Sequence, residues 1–237
     1  MTDRAQAETL GFSTVFGLVM LMIVVVSLVV YPAIEDVQDS QRVSNVERSM
    51  TVFAGNVDDV VGNDAPRRST GFRLDSGQLS LGDPVTVTVT GDSFGETYEV
   101  RPLIYRSDDG TELVYVNGAV VRDDGHGVVM LTEPRLRFSD QGVVLPIVRL
   151  GEATGPSAVG GSTRVATVRE ATHVAVADRT SQTVSITMTS PRVEAWRQTL
   201  ESDAGATCGS VSGETLTCTV NAQRVSVVVV DVGVSFE

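Results

Sequence analysis

The chain has 237 residues, 30 of them acidic and 18 basic, and a formal net charge of −12. Every basic residue is arginine and no lysine occurs. That balance argues against a nucleic-acid partner, whose phosphates demand a basic face, and against attachment through an anionic lipid surface; its plain reading is solubility, and with the missing lysine its sharper one is adaptation to high salt, where carboxylates stay hydrated.

Taken in chain order, the first element is a helix. From Thr9 to Ile34 there is a run of 26 uncharged residues, and 15–30 is almost entirely Val, Leu, Ile, Met and Phe. A bilayer core needs about 20 apolar helical residues, so the run is long enough to span. No small-residue cleavage site follows it, and Ser27–Pro32 leads directly into Glu35 and Asp36, so the segment is expected to stay attached. Arg4, the one basic residue before it, favours an N-terminus inside and a C-terminus outside. Beyond Pro32, apolar residues recur at Val46, Met50, Phe53, Val57 and Val60, alternating spacings of four and three as one helical face requires. Gly62-Asn63-Asp64-Ala65-Pro66 is a stop. A helix from Thr9 to Val61 would be roughly 80 Å long, kinked where Pro32 removes a backbone bond.

From Ser69 the period changes to two. Val85–Thr90 and Thr183–Thr189 alternate strictly and read as half-buried strands with threonine outward. Val225–Phe236 carries valine at both parities and suits a central strand. Further strands are expected at Tyr98–Tyr105, Glu112–Val116, Val128–Leu131, Val143–Leu150, Arg164–Val168 and His173–Ala177, with turns at Asp108-Asp109-Gly110, Asn117-Gly118 and Asp123-Asp124-Gly125. Gly151–Ser162 reads as a surface loop. One helix interrupts them: Ser190-Pro191 caps it, and Val193, Trp196 and Leu200 form its apolar stripe. Trp196 is expected to pack this helix onto the sheet.

The expected class is therefore α+β: a long N-terminal transmembrane or spine helix, then a mainly antiparallel β-sandwich-like domain with one short helix. The domains are 1–5, a leader; 6–66, a transmembrane helix extended by an amphipathic one; and 67–237, a β-rich domain placed outside the cell.

Chemistry is sparse. Cys208 and Cys218, ten positions apart, flank a turn-like Gly209–Glu214, so a hairpin is expected to pair them as a disulfide outside the membrane. Two thiols without a nearby histidine make half a zinc ligand set, and His126 and His173 lack partners at ligand spacing. No Gly-x-Ser-x-Gly elbow, phosphate loop or dinucleotide fingerprint occurs; no catalytic residue, cofactor or metal is expected. The Asp-Asp-Gly turns lack the alternating ligands of a calcium loop and fit hairpin chemistry. Arg67-Arg68 reads as ordinary cations after a helix. Asn45, Asn56, Asn63, Asn117 and Asn221 all lack a hydroxyl residue two places on, so N-glycosylation is not expected.

The N-terminus resembles a type IV pilin or archaellin precursor: a short polar leader, a basic residue before a small one, then an apolar helix running into an amphipathic one. Arg4-Ala5-Gln6-Ala7 is similar to the archaeal prepilin-peptidase site, which implies cleavage between Ala5 and Gln6. Glu8 would then be third in the mature chain, whereas bacterial pilins carry their glutamate fifth. Glu8 is either a subunit-docking residue or an ordinary anion at a helix N-terminus. Glu8–Phe12, Gly82-Asp83-Pro84, Arg101–Tyr105, Gly160–Thr163 and Ser190–Trp196 together resemble an uncharacterised haloarchaeal family of pilin-like membrane proteins. The resemblance implies a structural or minor subunit of a surface filament, with the lipid bilayer, a prepilin peptidase and other pilin-like subunits as partners. The alternative is a non-polymerising anchored binding module.

Overall fold

In the computed structural model, the backbone of every residue but Met1, Asp64, Asp140 and Gly205 is described, as are all side chains except those and 2–10, 13, 29–40, 138–139, 153 and 203–204. Helix α1 (Thr2–Gly62) opens the chain, followed by β1 (Arg67–Leu81), β2 (Val85–Thr90), β3 (Gly95–Val100), β4 (Leu103–Arg106) and β5 (Glu112–Val116). Next come β6 (Ala119–Asp123), β7 (Val128–Thr132), β8 (Arg137–Ser139), β9 (Gly142–Thr154) and β10 (Ala158–Asp178). The chain closes with β11 (Gln182–Thr189), α2 (Val193–Ala204), β12 (Thr207–Cys208), β13 (Thr215–Ala222) and β14 (Val225–Phe236).

Two compact units divide the chain, Met1–Arg42 and Val43–Glu237, and the boundary falls inside α1. In the first, the side chains at 11–12 and 14–28 are all exposed.

The second unit is built in layers. A nine-stranded sheet has the order β7-β6-β5-β4-β1-β10-β14-β9-β8, and a five-stranded sheet the order β12-β13-β11-β2-β3. All pairings are antiparallel except β14 with β9. The five-stranded sheet and α2 cover one face of the larger sheet, where Val225, Val227 and Val229 of β14 meet Val87, Ile186 and Met188. The other face of the same sheet takes the last part of α1, with Val230, Val232 and Val234 turned toward it. Strand β14 is thus buried on both sides, which is why valine occupies both parities. On α1, Val43, Val46, Met50, Phe53, Val57 and Val60 are buried. Phe53 stands edge-on to Tyr115 at 5.1 Å and tilted to Phe72 at 6.1 Å, a favourable aromatic geometry.

The expected α+β class with a long transmembrane spine is corrected. Of the residues whose side chains are described, 54% are in strands and 24% in helix, so the protein is mostly β. Among the described residues no helix is long and apolar enough to cross a membrane. The single-pass anchor over 6–66 falls on that finding, and with it the cytoplasmic N-terminus and extracellular C-terminal domain. The apolar stripe from Val43 to Val60 is covered by the chain's own large sheet.

Three strand expectations also change. Tyr98–Tyr105 is two strands in different sheets, broken at Arg101-Pro102, because proline cannot donate to a ladder. Gly151–Ser162 is mostly strand, with only 155–157 outside β9 and β10. Arg164–Val168 and His173–Ala177 are parts of the single strand β10, which passes through register shifts between Arg169 and Ala171 and between Val174 and Val176.

The large sheet curls until distant strands meet. Asn117 and Gly118 form the two-residue turn between β5 and β6, with φ of 49° and 85°, the positive pair such hairpins need. Asn117 is buried, and the Val148 N–H of β9 donates to its Oδ1 at 2.8 Å. Asn117→Ala leaves that N–H unpaired and strains the turn, and is expected to cost about 2–3 kcal/mol in urea unfolding. Asn117→Gly relieves the strain alone and should cost less.

Candidate functional site

The processing residues Arg4, Ala5 and Gln6, and Glu8 with them, have side chains outside the described residues. The segment that follows is the most unusual surface of the protein. Phe12 and Leu28 are each 72% exposed, and the apolar residues between them, Val15 through Val26, are all at least 48% exposed. Because positions 18–26 are consecutively apolar, the surface surrounds the helix instead of following one side of it.

By contrast, the helix from Val43 to Val60 has its apolar side covered and its polar flanks fastened. Glu47 pairs with Arg122 at 2.9 Å, Asp58 with Arg135 at 2.8 Å and Asp59 with Arg68 at 3.2 Å. Burial pushes the Asp58 carboxyl above its ordinary pKa, against the pull of Arg135. Asp59 is held below the usual range by hydrogen bonds from Asn63 and Arg68. Arg67 pairs with Glu237 at 2.6 Å, so both residues of Arg67-Arg68 are engaged in ion pairs.

Cys208 and Cys218 form a disulfide. They sit opposite each other where β12 pairs with β13, which ties the two-residue edge strand to its sheet.

The aspartates of the turns spend their oxygens on backbone N–H groups. Asp124 Oδ1 accepts from His126 and Gly127, each at 3.0 Å, and Asp109 Oδ1 from Thr111 at 2.8 Å. These bonds lower both carboxyl pKa values. They are turn-closing contacts of the Asx type. His126 and His173 are both exposed. Among the described residues no three His, Cys, Asp or Glu side chains gather as a metal site. A groove of about 370 Å³ is lined by Arg101, Arg149, Glu152, Glu170 and Asp231, among others. Arg149 pairs with Asp231 at 2.6 Å there, and Arg101 with Glu152 at 3.9 Å.

Sequence reasoning missed one cluster. Arg192, in the turn just before α2 with its side chain 13% exposed, pairs with Glu112 and lies 3.4 Å from Asp123, while Arg106 reaches Glu112 at 2.7 Å. Its partners lie on β5 and at the end of β6, far away in sequence, so no local spacing announces it. The cluster fixes α2, whose Trp196 is fully buried against the core; that tryptophan packs the helix onto the sheets.

These features define a class: a β-rich domain closed over one helix segment, preceded in sequence by a helix whose apolar surface is bare. The chain belongs to a family of unknown function, DUF7289, which matches residues 4–235. No curated protein and no solved structure matches it.

Removing the guanidinium by Arg192→Met leaves two carboxylates half-buried without their shared cation. An unfolding loss of about 3 kcal/mol is expected. Adding Asp123→Asn should recover part of that loss in the same urea titration.

Proposed function

We propose that this chain is a structural subunit that assembles with copies of itself into a filament through the apolar helix at residues 11–28. The observation that carries this is the bare apolar surface surrounding that helix. Large apolar patches on a protein surface mark interaction sites. Burying a large apolar side chain contributes ~1.5–3 kcal/mol, so covering the thirteen exposed ones from Phe12 to Leu28 is worth on the order of 20 kcal/mol. A partner docking on one side would cover only part of it. Several copies around a common axis cover all of it, which favours a multi-subunit core over a one-to-one complex.

The likeness of Arg4-Ala5-Gln6 to a prepilin-type site fits such a subunit, with cutting after Ala5 preceding assembly. Glu8 would then stand near the new terminus, where it is suited to meet a neighbouring subunit's amine.

The domain core contains no residue before Val43 among those described, so assembly and folding are separable. Val19→Asp with Val26→Asp is expected to lower the sedimenting fraction of the full chain at least tenfold. Unfolding of the β domain should shift by no more than about 0.5 kcal/mol. Undiminished sedimentation by the double variant would sink the assembly reading.

Mass spectrometry of the protein from its own cells is expected to find Gln6 at the N-terminus. Met1 or Thr2 there would remove the processing step and leave self-association to stand on sedimentation alone.

A further inference from the structure

The five-stranded sheet has one face in the core and one in solvent, and the solvent face is a grid of hydroxyls. β2 reads VTVTVT, β11 QTVSITMT and β13 TLTCTVNA. In each, the hydroxyl-bearing positions point outward and the alternate ones are buried in the core or partly so. Register brings them into rows: Thr187 lies opposite Thr88 on one side and Thr217 on the other, and Thr88 lies opposite Thr97. The hydroxyls of Thr88 and Thr97 are 2.9 Å apart, those of Thr187 and Thr217 2.9 Å, and those of Thr189 and Thr215 3.1 Å. Thr183 extends the pattern by donating to Asn221 at 2.8 Å.

Threonine is a common outward residue of strands, and cross-strand pairs stabilise a sheet. What distinguishes this face is its charge. In a chain of net charge −12 with 20% charged residues, Glu99 is the one charged residue on the outward positions of the paired strands. Charge is confined to the edge strand, where Glu96 and Glu99 are exposed, and an uncharged, half-exposed centre gives a charged polymer no counter-charges, while the hydroxyls disfavour an apolar one. Each threonine oxygen has one donor and two acceptor positions, so those paired with one another keep capacity for a ligand. The grid repeats at about 4.8 Å between strands and about 6.8 Å along them, the scale of a sugar ring. Threonine methyls between the hydroxyls offer contact to ring C–H groups.

We propose that this face binds a neutral polysaccharide lying across the threonine rows. A single copy suffices for the contact, so it does not depend on filament assembly.

The test is retention of the full chain on microcrystalline cellulose, chitin and amylose, eluted with soluble oligosaccharide. Thr187→Val with Thr217→Val keeps the branched shape and strand preference while deleting two central hydroxyls. It is expected to weaken retention at least tenfold on whichever polymer holds the wild type, with Thr187→Ser near the wild-type value. Circular dichroism and thermal melting confirm that each variant is folded. Failure of the wild type to bind all three polymers, or equal retention by the double valine variant, overturns the proposal. Hydroxyl-dependent shaping of ice crystals without polymer retention would also overturn it, assigning the grid to ice.

Discussion

The burial of one helical stripe against one sheet organises the domain. Residues Val43 to Val60 present apolar side chains every three or four positions, and the nine-stranded sheet turns a whole face to them. That requires strands apolar on both sides, because their other face is already committed to the second sheet. β14 meets the demand with valine at both parities, β5 with Leu113 and Tyr115 on one side and Val114 and Val116 on the other. Removing the helix would expose Phe72, Tyr105, Tyr115 and Phe236 together, an apolar area no isolated sheet keeps in water. The wrapping also explains Asn117, whose side chain closes the gap where the curling sheet meets itself.

Charge follows from the same layering. With lysine absent, cations are placed by arginine, whose planar fork suits fixed pairing with carboxylates. Glu47, Asp58 and Asp59 tie the helix flanks to the domain, and Glu112 and Asp123 hold Arg192. The exposed pairs contribute little each, about 0–1 kcal/mol. Their effect lies in fixing which side of the helix meets the sheet, since a rotated helix would bury carboxylates. The outward positions of the small sheet carry a single carboxylate, Glu99.

Periodicity was readable wherever one element decided it. The alternation in β2 and β11, the mixed valines of β14 and the stripe of α1 each follow from local spacing, and so does the capped helix at Val193. Features that depend on two separated segments were not readable. Nothing near Arg192 signals Glu112, and nothing near Asn117 signals Val148. Pro102 was visible, yet its consequence, a change of sheet between β3 and β4, needs the second sheet to exist. The Gly-rich stretch 151–162 looks like a loop because its residues are small; long neighbouring strands recruit it into the ladder regardless. The apolar run misled in another way. Composition alone suggested a bilayer span, while among the described residues no helix is long and apolar enough to cross a membrane.

A protein that carries both a self-sufficient core and a bare apolar helix faces a kinetic problem. Unassembled copies expose surface that drives indiscriminate association. Confinement of that surface to residues before Val43, outside the described core, keeps the hazard apart from the slow step of forming a sheet with one parallel and many long-range pairings. The domain core holds no described residue before Val43, so its native register does not depend on the apolar helix. A disulfide at the edge of the small sheet and ion pairs along the helix flanks fix the folded unit. The acidic surface acts in the same direction, since like charge between copies at a net −12 opposes indiscriminate contact.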